Sequence, residues 1–143
     1  MIPFFILIVG YIIGLGAVTV VDIHGFLARK SPYWTEATIR THKVTKPLIW
    51  CGMSLVIIGS YLMFASGTLT AVAYERILLV QVIMIMNGYF LSYVVSPRLI
   101  QNEKDGRSRE LLDSKLQMKI TISFVFSFLS WWGLLAYIFS QIY

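Results

Sequence analysis

Only one cysteine, Cys51, stands in the 143 residues. No disulfide can therefore close within the chain, and no cysteine pair or cluster offers redox exchange or a thiolate zinc site. Histidine is almost as scarce. His24 and His42 are the only two, and they lie too far apart for the HExxH or HxxxH spacing that sets two imidazoles on one helix face. CxxCH, the haem-attachment signature, is missing, as are a glycine-rich phosphate loop and any recognisable nucleophile–base arrangement. Those absences exclude an enzyme of the soluble type. Charge is sparse too, at 13% Asp, Glu, Lys and Arg. None of it falls near the middle of a long apolar run, which argues against an ion-coupled transporter or a charge-lined channel.

What remains is apolar. Hydrophobic residues make up 57% of the chain, and the mean hydropathy of +0.74 is too high for a soluble domain of this length. A helix needs roughly 20 apolar residues to cross a hydrocarbon core of about 30 Å. Four runs qualify, at 2–21, 47–66, 77–96 and 120–142. The first has no basic n-region and no small-residue cleavage site, so it reads as a retained helix and not a signal peptide. The fold class expected is all-α: a single domain over 1–143, an integral membrane four-helix bundle.

The basic residues orient it. Arg29, Lys30, Arg40, Lys43 and Lys46 fall between the first two runs, and Arg98, Lys104, Arg107, Arg109, Lys115 and Lys119 between the last two; only Arg76 lies elsewhere. Cytoplasmic loops retain excess Lys and Arg, so 22–46 and 97–119 are expected inside the cytoplasmic membrane and both termini outside (N-out, C-out). A net charge of +5 then speaks for the anionic inner leaflet and not for nucleic acid.

Both basic loops carry helix signals and are expected to form short interfacial helices. In the first, Ser31-Pro32 resembles a cap followed by an N1 proline, Glu36 and Arg40 make a favourable i,i+4 pair, and Tyr33 and Trp34 suit the headgroup level. That helix is expected over 32–44, with Pro47 opening the second span. In the second, Asp105-Gly106 turns the chain and Ser108 is placed to cap a run bearing Leu112 and Leu116 on one side. Ser96-Pro97 is expected to stop the third span. Gly10 and Gly14 form a GxxxG stripe, open to a neighbouring span or to a second copy of the chain, and internal packing is the stronger expectation. Cys51 is expected to be a buried, inert thiol.

Candidate site residues gather at two depths. Asp22 and His24 lie at the boundary of the first span, and His42 returns to about that depth before the second. Two imidazoles on adjacent helices can ligate haem iron axially, or bind a metal with Asp22 or Glu36. The bland alternative is that Asp22 pairs with Lys46 or Arg29 and pins the loop, and a third reading gives Asp22 and His24 a proton-carrying role. Nearer mid-membrane, Tyr11, Gln81, Asn87, Trp131 and Trp132 form either interhelical hydrogen bonds or the walls of a small pocket. The leading expectation is a non-enzymatic scaffold or accessory subunit with a basic cytoplasmic face. The alternative is a haem- or porphyrin-binding redox protein using His24 and His42, with Trp131, Trp132 and Asn87 lining the macrocycle.

The plan resembles the small four-helix membrane proteins of the protoporphyrinogen oxidase (HemJ-type) and copper-resistance D-like group. The resemblance is carried by length, four spans, the basic stretch Ile39-Arg40-Thr41-His42-Lys43-Val44-Thr45-Lys46-Pro47 leading into the second span, and a charged segment between the last two. It implies the fold and, with it, haem binding. In that family a histidine stands within the first span and a lysine within the third; here the corresponding histidine is His24, at the span's inner end, and the third span has no lysine.

Overall fold

A computed structural model describes residues 1–28, 31, 34–107 and 109–142. The regular structure within them is all helical: α1 (Ile2–Ala28), α2 (Trp34–Ala65), α3 (Ala71–Tyr89), a π-helical segment (Phe90–Val95) running straight into α4 (Ser96–Lys104), and α5 (Ser114–Ile142). Four helices are long and apolar enough to cross a membrane, α3 through α4 counting as one. No strand occurs among the described residues. The outward faces are apolar, with Phe5, Ile12, Leu79, Ile122 and Leu129 all exposed, a surface that in water would aggregate and in lipid is solvated.

The bundle is closed by neighbour packing. α1 lies chiefly against α2 and also against α5, while α3 lies against α5 and α2. Glycine makes the first contact close. A Cβ on Gly10 would stand 2.7 Å from the Val56 nitrogen, one on Gly59 would stand 2.7 Å from the Leu7 Cα, and one on Gly52 would fall on the Gly14 backbone. The Gly10/Gly14 stripe is thus taken up inside the chain against Gly52 of α2, and Gly14 also receives the indole of Trp131. That face is not free for a second copy.

Two helix ends show why the turns lie where they do. Gly67, at φ +74°, ends α2 with Thr68 N–H donating to the Met63 carbonyl and Gly67 N–H to that of Phe64. Gly106, at φ +72°, ends α4 in the same way, with Arg107 and Gly106 donating to Asn102 and Glu103. Both are Schellman motifs, whose left-handed residue favours glycine. After the first, Thr70 caps α3 by accepting from Ala73 N–H.

Three local expectations are corrected. Neither loop forms a separate interfacial helix among the described residues. The polar stretch before Pro47 belongs to α2, which runs through the proline without a break. At 1.5 Å per residue its 32 residues measure about 48 Å, longer than the roughly 30 Å of a hydrocarbon core. Ser96-Pro97 does not stop the third helix either. The π-segment upstream widens the turn, with Ser96 N–H donating five residues back to Leu91; this loosens the turn into which the proline ring would otherwise drive, and lets α4 continue. In the second loop the cap of α5 is Asp113, whose carboxylate accepts from Lys115 and Leu116 N–H. Pro32, Tyr33 and Ser108, assigned capping and interfacial roles from the sequence, lie outside the described residues, as do Arg29 and Lys30.

Candidate functional site at the basic end of the bundle

Buried apolar residues form two clusters. One, around Leu7, Tyr11, Val56, Ile77 and Trp131, fills most of the bundle. The other, around Val21, Ile39, Leu99 and Ile120, fills the basic end. Where they meet, all four long helices contribute to a cavity of about 40 Å³ lined by Asp22, His42, Lys46, Trp50, Asn87, Ser92, Ser127 and Trp131 among others. A water occupies roughly 10–15 Å³ on this kind of measure, so the space suits two or three waters or a very small solute.

The polar groups around it are unequally satisfied. Asn87 is fully engaged with α5: its Nδ2 donates to the Ser123 carbonyl at 3.2 Å and its Oδ1 accepts from Ser123 Oγ at 2.5 Å. Trp50 Nε1 donates to Ser92 Oγ at 3.3 Å, and Lys46 Nζ donates to the Ser92 carbonyl at 3.4 Å while lying 5.6 Å from the Tyr93 ring. Ser92 belongs to the π-segment, whose widened turn frees backbone carbonyls for such side-chain donors. Asp22, by contrast, is 7% exposed and makes no hydrogen bond or ion pair with the described residues; its Oδ2 is wholly buried. The Nε2 of His42 is buried without a partner as well. An unpaired buried carboxyl costs on the order of 1–3 kcal/mol or more, and this cavity brings two orphaned titratable groups together, while Tyr11 Oη, Thr19 Oγ1, Thr38 Oγ1 and Gln81 Oε1 are buried without partners as well.

The structure therefore brings together Asp22, His42, Asn87 and Trp131 and leaves His24 and Trp132 apart. His24 is exposed and lines an open hollow with Glu36, Ala37, Arg40, Thr41 and Arg109. His42, on the opposite side of α2 from that hollow, lines the cavity and an adjoining hollow with Lys43, Ser96 and Leu99. Two axial ligands must face one iron, and these imidazoles face different sides of a helix; the cavity is also far below the 300–1,000 Å³ of ordinary cofactor sites. No three His, Cys, Asp or Glu side chains assemble a metal site among the described residues. The bis-histidine haem reading is not supported. Trp132, 45% exposed, lies one residue and about 100° around the helix from Trp131 and lines an outer groove with Ile12, Gly16 and Phe139.

The pairing expected of Asp22 with Lys46 is also corrected, since Lys46 turns to Ser92 and Tyr93. Gln81 is separate again, donating to Ser60 Oγ at 3.0 Å between α3 and α2; the mid-depth polar residues are two distinct interhelical links and not one pocket. Cys51 is exposed on the outer face of α2 and not buried. Sequence reasoning passed over Trp50, Ser92 and Ser127 as lining residues. Trp50 stands one turn after Lys46, at the i,i+4 spacing that shares a face, a signal that was present in the sequence.

Around the cavity mouth the charges are arranged as pairs within an excess. Glu36 bridges Arg40 at 2.6 Å and Arg109 at 3.4 Å, Glu103 holds Lys43 at 3.0 Å, and Asp105 holds Arg107 at 3.4 Å. All are exposed or half-exposed and contribute little stability; Lys43–Glu103 ties α2 to α4 and Glu36–Arg109 ties it to the second connection. Arg98, Lys104, Lys115 and Lys119 carry no ion pair among the described residues. Comparisons with models of protein families, with curated proteins and with solved structures return no match.

Proposed function

We propose that the chain is a four-span protein of the cytoplasmic membrane, with its basic end inside and the turn at 67–70 outside, and that it serves as a non-enzymatic accessory or scaffold subunit. One observation carries this reading: the separation of charge along the bundle. Among the described residues, nine basic side chains against six acidic belong to the end bearing the cavity, while the charged side chains of the opposite end are Glu75 and Arg76. Lys and Arg set orientation when they flank spans closely, as they do here. Inside the cell the same excess attracts the anionic leaflet at about 1 kcal/mol per basic residue near the surface. It also attracts an acidic patch on a membrane or cytoplasmic partner.

Glu36, Glu103 and Asp105 are spent on internal pairs, so Arg98, Lys104, Lys115 and Lys119, exposed on α4 and the start of α5 and without ion pairs among the described residues, are available contact points. A partner that docks there is held by rim electrostatics, sensitive to salt and to charge removal. Neutralising Arg98, Lys104, Lys115 and Lys119 together to Gln tests it. Membranes solubilised in mild detergent and resolved on a native gel should show the wild-type chain in a complex well above its own 16.3 kDa, and the neutral variant shifted to the free protein. Migration of both at the same monomeric position would sink the accessory-subunit reading.

A further inference from the structure

Asp22 lines two spaces. One is the small central cavity; the other is a lateral groove of about 230 Å³ between α1 and α5, walled by Phe26, Phe124, Val125 and Phe128 among others. Every other described residue lining the groove is uncharged, and Thr121, the one other polar side chain among them, is spent on the Gln117 carbonyl of its own helix at 2.9 Å. The groove opens sideways through half-exposed apolar residues, Phe26 and Val125 among them, into the space that lipid would occupy in the orientation proposed above. At its floor stands a carboxyl that is more than nine-tenths buried and lacks any partner among the described residues.

From this we infer that the α1/α5 groove is a binding site for a small lipophilic ammonium: an apolar body with one cationic N–H head seated on Asp22. Each half of the ligand is dictated by what lines the site. A carboxylate held away from water and from other donors is best complemented by a charge-assisted N⁺–H···O⁻ bond. Phe124 and Phe128 offer apolar contact to the body, and an aromatic lining is one that a cationic head tolerates. An anionic head supplies no counter-charge to a buried carboxyl, and a neutral hydroxyl forms a weaker bond. Size limits the body as well. The groove is below the 300 Å³ at which drug-sized pockets begin, so one aromatic ring on a short chain fits and a polycyclic body does not. Lys46, which faces the central cavity, is turned to Ser92 and does not occupy the carboxyl. Nothing in this site uses the basic rim, so it stands or falls independently of the accessory-subunit reading.

3-Phenylpropylammonium is a suitable probe, and 3-phenylpropanol its neutral counterpart. Binding is measured by saturation-transfer NMR on the full chain in nanodiscs of zwitterionic lipid, with empty discs as the reference for partitioning. The amine should bind saturably, at least tenfold tighter than the alcohol. Asp22→Asn should weaken the amine at least tenfold and leave the alcohol unchanged. Val125→Trp, which fills the groove at an exposed position without touching the carboxyl, should abolish binding of both. Equal binding of amine and alcohol would overturn the proposal and leave a groove for an acyl chain, as would amine binding indifferent to Asp22→Asn or no saturable signal above empty discs. Should Asp22→Asn fail to fold, the amine-to-alcohol ratio and the Val125→Trp result still decide.

Discussion

Gly52→Val is expected to destabilise the folded bundle by about 3 kcal/mol or more, at or beyond the upper end of ordinary overpacking. The cause is backbone meeting backbone. A Cβ on Gly52 falls on the Cα and nitrogen of Gly14 and 2.7 Å from the Gly10 carbonyl, and none of these atoms can rotate away as a side-chain tip would. The only relief is to push α1 off α2, which opens the most extensive interface of the bundle along its whole length. In lipid that interface depends on close packing, because the tails are as apolar as the side chains they would replace. Gly16→Ala and Gly133→Ala are the matching controls. No atom lies within 4 Å of a Cβ built at either position, so both should change stability by less than about 1 kcal/mol, in the stabilising direction given by helix propensity. Unfolding by SDS titration in mixed micelles, followed by circular dichroism, reads all three. A Gly52→Val protein as stable as Gly16→Ala would mean that α1 and α2 do not meet as described.

The second large effect separates neighbours. Trp131→Ala should cost about 3–5 kcal/mol, the range for emptying a buried aromatic site, while Trp132→Ala should cost less than about 1 kcal/mol. Trp131 is 2% exposed. Its ring stands edge-on to Tyr11 at 5.8 Å and lies against Gly14, so it fills the corner where α1, α2 and α5 converge. Removing it leaves a void that Gly14 and Tyr11 cannot close. Trp132 touches Phe128 at the surface and little else of the core. The same titration checks the pair, and comparable losses at both positions would refute the placement of α5 about its own axis.

These contrasts bear on how much of the molecule was legible beforehand. Four helices long and apolar enough to span follow directly from four apolar runs, because length and low charge are both additive along the chain. The Glu36–Arg40 pair was equally local and is present at 2.6 Å. Helix continuity was not legible at Pro47 or Pro97. A proline signals a break only when the preceding turn cannot adapt, and the π-segment that adapts at Phe90–Val95 has no sequence signature of its own. The partner of the GxxxG stripe was half visible. Gly52 and Gly59 recur at seven residues, two helical turns, and so present small residues on one face of α2.

The site divided along the same line. Level along the helices was legible: Asp22 and His42 were expected together at the boundary of the first span and Asn87 and Trp131 deeper, and all four line the one cavity. Azimuth was not. His24 and Trp132 sit at suitable depths and turn outward, because nothing in a uniformly apolar helix marks which face meets protein and which meets lipid. The isolation of Asp22 was likewise invisible in the sequence, since Lys46 is at the right depth to pair with it and instead turns to a carbonyl released by the π-segment.

The orientation of the bundle is the claim on which the functional reading depends, and substituted-cysteine labelling in intact cells tests it most directly. In a Cys51→Ser background, single cysteines are introduced at Thr68, in the exposed turn after α2, and at Leu111, in the exposed connection before α5. A membrane-impermeant maleimide should label Thr68→Cys in intact cells and Leu111→Cys only after permeabilisation. Labelling of Leu111→Cys from outside, with Thr68→Cys protected, would place the basic end on the wrong side of the membrane and contradict the account.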